Sequence, residues 1–257
     1  MQNCGFGWQN HVMDGALTAG NFTVASLPVT NLRIPQGAAS LGYRTLIKDS
    51  GDSAVFTISM QAPVLWRVFS LHRTNLTPEA RWQIDVSTDG AAVTSWSGDC
   101  NVSLGQCVHV LDSDVMGASA TITVWDQPGN WIDIPLAYAG PLWQPARNHS
   151  TKSTRDQVPG QDVATSLGGQ EFVNARWQQR KVTVEHDSLG DADVAVIDRI
   201  IASAAADSNI LFIPDPAADA AALSAAAIYG RMSAGELSNP YGPADRHNQS
   251  FTFTERL

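Results

Sequence analysis

Short segments of alternating apolar and polar residues, each closed by turn residues, dominate residues 55–131 and constrain this sequence more than any other feature. A strand places successive side chains on opposite faces, so such alternation is typical of strands with one buried face. The clearest segments are Val55–Met60, Leu65–Leu71, Ala80–Val86 and Ala120–Trp125. Turn residues recur between them at the spacing of an antiparallel sandwich, and no long helix interrupts them. We therefore expect a mainly β (α+β) protein with an antiparallel β-sandwich over residues 21–142.

The charge of the chain excludes one class of partner. Its 257 residues include 16 Lys and Arg against 25 Asp and Glu, a formal charge of −9, and the basic residues do not cluster. Nucleic-acid binding needs clustered cations that displace counterions from phosphates, so we expect no nucleic-acid partner. No apolar run approaches the roughly 18–20 residues that span a bilayer, and the N-terminus lacks the pattern of a secretory signal. We expect no membrane span and a chain that stays where it is made.

Residues 143–175 differ from the sandwich in composition. The stretch Gln144–Gln170 contains Pro145, Pro159 and two adjacent glycines, is rich in polar residues and shows little apolar periodicity. Loops of this length inside a compact domain are uncommon and usually functional. We expect an extended arm that wraps a neighbouring surface or becomes ordered on assembly.

A strand-helix-strand pattern occupies residues 176–257. Arg180–Glu185 is typical of a strand, Asp187 and Ser188 are N-cap candidates, and apolar residues recur at helical spacing from Leu189 to Ala204. Further apolar segments at residues 209–213, 227–229 and 250–255 predict three more strands. These elements form a small C-terminal module, against which we expect the N-terminal segment, residues 1–20, to pack.

Sequence motifs for catalysis are missing. The chain contains no nucleophile elbow, phosphate-binding loop, dinucleotide fingerprint or zinc-protease motif, and no two of its six histidines are four residues apart. Pairs of acidic residues leave a hydrolase as a remote third hypothesis. Cys100 and Cys107 could approach across a short loop, but we expect free thiols. We expect no enzyme activity, no cofactor and no metal.

Tryptophans crowd the β-rich half. Trp82 is in phase with Ile84 and Val86, which predicts a core position, and packing is the default for the whole set. Exposed aromatic rings also stack on sugars and on other proteins. Trp96, in a segment rich in turn residues, and Trp131 are our candidates for contact with a glycan or a partner. We expect His72 to hydrogen-bond a loop backbone.

Three groups of short segments follow one another along the chain. They are Leu27–Leu32, Tyr43–Thr45, Val55–Met60, Val68–Leu76 and Ala80–Ile84; then Gly140–Asn148 with Leu167–Gln170; then Arg180–Glu185, the predicted helix, Phe212–Asp215, Tyr229–Arg231 and Phe251–Glu255. In this order they resemble structural proteins of the tail tip or baseplate of tailed bacteriophages, similar to distal tail proteins. The resemblance implies a galactose-binding-like (discoidin-type) sandwich and a small tail-tube-associated module.

The resemblance also implies a function. It predicts a virion protein, assembled in the host cytoplasm, that forms a trimeric or hexameric ring with copies of itself and contacts tail-tube and baseplate hub proteins. The candidate assembly arm comprises Trp143, Pro145, Arg147, Asn148, Leu167, Gly168 and Gly169. The alternative is a carbohydrate-binding adhesion module that contacts host surface glycans through the sandwich.

Overall fold

The computed structural model describes residues 2–49, 51–129, 131–240 and 246–256. Its elements, numbered in chain order, are β1 (Gly5–Gly7), α1 (His11–Asp14), β2 (Ala16–Ala19), β3 (Tyr43–Leu46), β4 (Ala54–His72), β5 (Arg81–Thr88), β6 (Ala91–Asp99), β7 (Cys107–Trp125), β8 (Trp131–Ile134), β9 (Leu136–Gly140), β10 (Thr154–Thr165), β11 (Glu171–Leu189), α2 (Asp191–Ala205), β12 (Ile210–Ile213), α3 (Ala220–Ala226), β13 (Ile228–Ala234) and β14 (His247–Glu255). Two short 3-10 helices, Val29–Arg33 and Ala39–Leu41, lie between β2 and β3. The protein is mostly β, with antiparallel sheets.

The chain divides into two compact units, and both are discontinuous. The first comprises the chain up to Gln144 together with Leu211–Ala227; the second comprises Pro145–Ile210 and Ile228–Leu257. The sequence instead predicts boundaries at residues 142 and 175, with residues 211–227 in the C-terminal module. Part of the predicted C-terminal module, residues 241–245 and 257, lies outside the described residues.

The first unit is an antiparallel β-sandwich, as its alternating segments predict. Its main sheet has the strand order β2-β4-β7-β5-β6, with β9 also paired to β4, and β3 pairs with β8. Strand β4 joins the predicted segments Val55–Met60 and Leu65–Leu71, because bulges near Ser59–Val64 and Trp66–Val68 let one strand bend without ending. Strand β7 is longer than the predicted segment Ala120–Trp125 and begins at Cys107. The inward side chains of β5, Trp82, Ile84 and Val86, are buried, as predicted.

The segment Leu211–Ala227 completes the first unit. Residues 211–213 of β12 pair with β1, where Phe6 lies opposite Phe212 and the two rings pack edge to face. The segment then forms α3, which Asp219 caps by accepting a hydrogen bond from the Ala222 amide. The N-terminal strand thus pairs with a segment more than 200 residues away in sequence.

The second unit is a sheet of order β13-β14-β11-β10, with α2 packed against β13. Helix α2 buries Ile197 and Ile200 on the face that the helical periodicity predicts. Its N-cap is Gly190 rather than Asp187 or Ser188, because β11 continues through Leu189 and carries those residues in a strand. Buried Arg180 and partly buried Glu255 form a two-point ion pair between β11 and β14, with N–O distances of 2.9 and 2.5 Å.

Candidate functional site

A two-stranded hairpin is the most exposed feature of the chain. Strands β10 and β11 pair from Thr154 opposite Thr183 to Thr165 opposite Glu171, with a bulge beside Gly160. The sequence predicts an extended arm or loop over residues 143–175; within it the structure has regular antiparallel strands, Thr154–Thr165 and the start of Glu171–Leu189. From residue 161 to residue 178 every side chain is exposed, so each face of the hairpin meets solvent in the described chain. We call residues 154–178 the hairpin.

Large apolar side chains lie on both faces of the hairpin. Val163 and Val173 stand directly opposite each other and therefore share one face. Phe172 points to the other face, because neighbouring residues of a strand alternate. The exposed fractions are 57% for Phe172, 57% for Val173 and 44% for Trp177. The Trp177 ring lies so close over Gly160 that a Cβ atom there would come within 2.0 Å of it, which explains the glycine at that position.

Three predicted arm residues lie at the hairpin tip. Leu167, Gly168 and Gly169 form the turn between β10 and β11, closed by a hydrogen bond from the Gly169 amide to the Ser166 carbonyl. Gly169 has a φ of 81°, a conformation that suits glycine, and Leu167 is fully exposed. The tip therefore presents a large apolar side chain to solvent.

The other predicted arm residues contact their own unit. Trp143 exchanges two backbone hydrogen bonds with Phe6, and their rings pack at 5.6 Å. Pro145 begins the second unit, where the Arg147 guanidinium donates to the Ser188 hydroxyl. The Asn148 side-chain oxygen accepts from the His149 amide. These residues of the predicted arm therefore contact other residues of their own chain.

Trp96, one of two candidate contact residues, does not lie in a turn. Ser97–Asp99 continues strand β6, and Trp96 stands opposite Ile84 on the inward face of the sheet. Its ring is stacked on His109 at 3.5 Å and packs edge-on against Trp82. Burial lowers the pKa of His109 to about 4, so a neutral imidazole stacks there at neutral pH. Trp96 is a packing residue.

Trp131, the second candidate, is 45% exposed. The Arg44 guanidinium lies 5.7 Å from the centre of its ring and also binds both carboxylate oxygens of Asp133, at 2.5 and 2.7 Å. Asn75 fixes the position of strand β8, since its side chain donates to the Trp131 carbonyl and accepts from the Asp133 amide. One face of the ring is therefore occupied by a cation from the same unit.

A different tryptophan, Trp125, lines a pocket on the outer face of the main sheet. The pocket has a volume of about 380 Å³ and is bordered by Arg81, Gln83, Ser97 and Trp125, with Trp82 and Gly98 completing its wall. The sequence carried a usable signal, because the inward positions of Ile122 and Val124 place Trp125 outward. A second pocket, of about 420 Å³, lies beside Asp14 and Arg33 and contains no aromatic residue.

A buried chain of hydrogen bonds includes His72. Gln106 donates to the carbonyls of Ser224 and Ala227, at 2.5 and 2.9 Å, so its own oxygen accepts from His72 Nδ1 at 2.8 Å. His72 Nε2 then accepts from the Ser70 hydroxyl at 2.8 Å. The sequence predicts a hydrogen bond to the loop backbone, and the structure shows both ring nitrogens of His72 bonded to the side chains of Ser70 and Gln106. Ser70, His72 and Gln106 are at most 3% exposed, so this chain of hydrogen bonds has no access for a substrate.

Two features are absent from the part of the chain that the structure describes. No group of three or more His, Cys, Asp or Glu side chains there could hold a metal ion. No helix within ranges 2–49, 51–129, 131–240 and 246–256 is long and apolar enough to cross a bilayer.

Comparisons with known proteins give only remote similarity. No family model matches the chain, and no curated protein matches it. Among solved structures, the lectin domain of lectinolysin in complex with Lewis B antigen has a TM-score of 0.42 at 8% identity, over 51% of this chain and 95% of that one. A fucose-binding module from Streptococcus pneumoniae gives 0.41 at 10%, over 52% and 98%. A chitosan-binding module from a Paenibacillus chitosanase/glucanase gives 0.39 at 12%, over 52% and 99%. Similarity at this level assigns neither family nor function.

Proposed function

We propose that this chain is a non-catalytic structural subunit that associates with copies of itself through the hairpin. The observation that carries the proposal is the exposure of apolar side chains on both faces of a two-stranded ribbon. An isolated hairpin is marginally stable in water, and exposed apolar patches of this kind mark interaction sites. Covering both faces requires a surface that the described part of this chain does not provide.

The edge of strand β10 supports contact between like subunits. This strand is the last in its sheet, so it presents backbone donors and acceptors to a neighbouring strand.

The finer form of the proposal is a ring in the tail tip or baseplate of a tailed bacteriophage. Its support is the order of short sequence segments, including Leu27–Leu32 and Gly140–Asn148. In that form the ring is a trimer or hexamer, its partners are tail-tube and hub proteins, and its location is the virion. None of the three solved structures named above is a tail protein.

Light scattering on the purified chain tests self-association. We expect a mass three or six times that of the 27.5 kDa chain. Replacing Phe172 and Val173 together by Ser should shift the protein to monomer, because the two changes remove apolar area from both hairpin faces. The matched control is Asn174→Ser, an exposed polar residue on the same strand, which should leave the mass unchanged.

A second variant removes the hairpin cleanly. Replacing residues 158–179 by Asn-Gly joins Gln157 to Arg180, which already face each other, through a two-residue turn. A folded monomer is the expected result. A wild-type chain that is monomeric at all concentrations, or a hairpin-deleted chain that still forms the same oligomer, would contradict the proposal.

A specific observation also favours a second function, recognition of host surface glycans by the sandwich. The pocket beside Trp125 combines an aromatic ring with polar side chains, which is the composition that sugar binding requires. Neither Trp96 nor Trp131 lines either of the two pockets described above. A glycan-binding sandwich and an assembling hairpin are compatible in one subunit.

A further inference from the structure

We propose that the outer face of the main sheet binds a neutral pyranose sugar in the pocket formed by Arg81, Gln83, Ser97 and Trp125. The inference rests on the second function proposed above, and adds the site and the charge class of the ligand. It does not depend on the hairpin or on any oligomer.

The pairing of three strands brings these four residues together. Arg81 on β5 stands directly opposite Trp125 on β7, and Gln83 stands directly opposite Ser97 on β6. Residues paired in this way have Cβ atoms about 5 Å apart. The alternate residues of β5 and β7, including Trp82 and Val124, are buried in the core, so the four side chains point outward. The site is thus built on the backbone of a regular sheet.

The four side chains offer the contacts that a sugar ring needs. The Trp125 indole supplies a flat apolar face for the C–H side of a pyranose. Arg81 donates hydrogen bonds, the Ser97 hydroxyl donates or accepts, and the Gln83 carboxamide oxygen accepts. Asp85 fixes that carboxamide, because Gln83 Nε2 donates to both of its oxygens at 2.7 and 3.0 Å. The pocket of about 380 Å³ falls within the range of small-ligand sites.

Charge excludes an acidic ligand. The Arg81 guanidinium lies 3.4 Å from the Asp99 carboxylate, so its charge is locally balanced. Asp85 adds a negative charge beside Gln83, and the whole chain carries −9. An acidic sugar would meet net repulsion, whereas a neutral hexopyranose or deoxyhexopyranose would not.

Binding of methyl glycosides to the intact chain tests the site. The probes are the methyl pyranosides of galactose, glucose and fucose, with methyl glucuronide as the acidic counterpart, observed by saturation-transfer NMR and calorimetry. We expect at least one neutral probe to bind and methyl glucuronide to bind more weakly. Trp125→Ala should weaken the neutral probe at least about tenfold, since it removes the stacking face.

Matched variants locate the binding. Trp131→Ala removes an exposed tryptophan elsewhere on the same unit and should leave the affinity within about twofold. Arg81→Ala alters an exposed side chain, so it keeps the fold intact and tests the site even where Trp125→Ala fails to fold. We expect it to weaken binding measurably, with an unchanged melting temperature.

The outcomes separate the site from the function. Binding that survives Trp125→Ala and Arg81→Ala, or that is lost in Trp131→Ala, overturns the proposed site and leaves glycan recognition standing. Preference for methyl glucuronide overturns the neutral ligand class. Absence of binding by every probe overturns both the site and the second function, while the mass measurements on the hairpin variants still decide the first function independently.

Discussion

Gln106 contributes to the closure of the first unit, together with the pairing of β1 with β12. Its side chain satisfies two carbonyl groups, those of Ser224 and Ala227, and one nitrogen of His72, all of them buried. A buried polar group that loses its partner costs more free energy than the hydrogen bond itself contributes. One side chain therefore ties the segment Leu211–Ala227 to the sandwich.

Gln106→Ala should lower the free energy of unfolding by about 3 kcal/mol, because it removes one hydrogen bond from each of three buried polar groups. Urea unfolding followed by tryptophan fluorescence measures this, since Trp66 and Trp82 are buried in the same unit. The control Gln127→Ala removes an exposed glutamine that contacts Glu79 and should change stability by less than about 0.5 kcal/mol. Equal stability of the two variants would refute this role of Gln106.

Cys100 and Cys107 lie next to each other but form no disulfide. A hydrogen bond between the two thiols, and then burial, raise the pKa of Cys100. The thiolate is the reactive form of cysteine, so a raised pKa and full burial both suppress reaction. This agrees with the expectation of free thiols from the sequence.

We expect none of the three cysteines to react rapidly with Ellman's reagent in the native chain, because all three are buried. All three should react once guanidinium chloride unfolds the protein. The time course of absorbance measures both states on one sample. Rapid release of one or more equivalents from the native chain would show that a thiol is accessible.

At the scale of elements, strand β11 carries a histidine that links stability to pH. Burial, and then the neighbouring His149, lower the pKa of His186 to about 4, while Asp187 acts in the opposite sense. The unfolded chain binds a proton near pH 6.5 and the folded chain does not until about pH 4. Folding therefore loses stability as the pH falls between these values, by up to about 3 kcal/mol.

Hydrogen exchange of the β14 amides between pH 7 and pH 4 measures this effect in the second unit alone. That restriction is needed because His109 in the sandwich titrates in the same sense. We expect opening to become easier as the pH falls, and His186→Phe to reduce the dependence, since Phe has no proton to bind and sits beside Phe251. Part of the dependence should remain, because burial lowers the pKa of His149 and the Asp191 carboxylate raises the pKa of His247 in the same unit. The same slope in both proteins would contradict the assignment.

The sequence predicts those elements that bury one face. Strand β5 and helix α2 show clear periodicity because core packing selects their apolar positions. The hairpin shows none, since both of its faces are exposed within the single chain and Pro159 and Gly160 interrupt it. Strand β6 resembles a turn in sequence because its outward residues are Ser and Asp and Gly98 sits under the Trp96 ring. Surface strands of this kind leave little trace in a pattern that reflects burial.

The candidate site was predictable only in part, for a related reason. Alternation alone places Trp125 outward, yet nothing in the sequence reveals that Arg81 and Ser97 come from strands paired beside it. For the same reason the sequence indicates Trp96 as a contact residue, because the Ser and Gly residues beside it are typical of turns. The alternation of inward and outward side chains can be recognised within one strand, whereas the order of strands in a sheet depends on the packing of the whole core.

At the scale of the whole molecule, the sequence predicts two consecutive modules, and the chain instead forms two interleaved units. The predicted break falls at residue 142, and the first segment of the first unit ends at Gln144. It misses the return of Leu211–Ala227, because an apolar strand and a short Ala-rich helix look alike whichever core they complete. The change in composition near residue 143 is local information, whereas the assignment of a segment to one core or the other depends on long-range pairing.

The late arrival of Leu211–Ala227 has a consequence for biosynthesis. While the ribosome is still translating the first 210 residues, the nascent sandwich lacks the strand that pairs with β1 and the two carbonyl groups to which Gln106 donates. Domains ordinarily mature from the amino terminus onward as they emerge. Here the amino-terminal half must wait for sequence made much later, so a prematurely terminated polypeptide would be left with an unfinished core and would be a natural target for proteolysis.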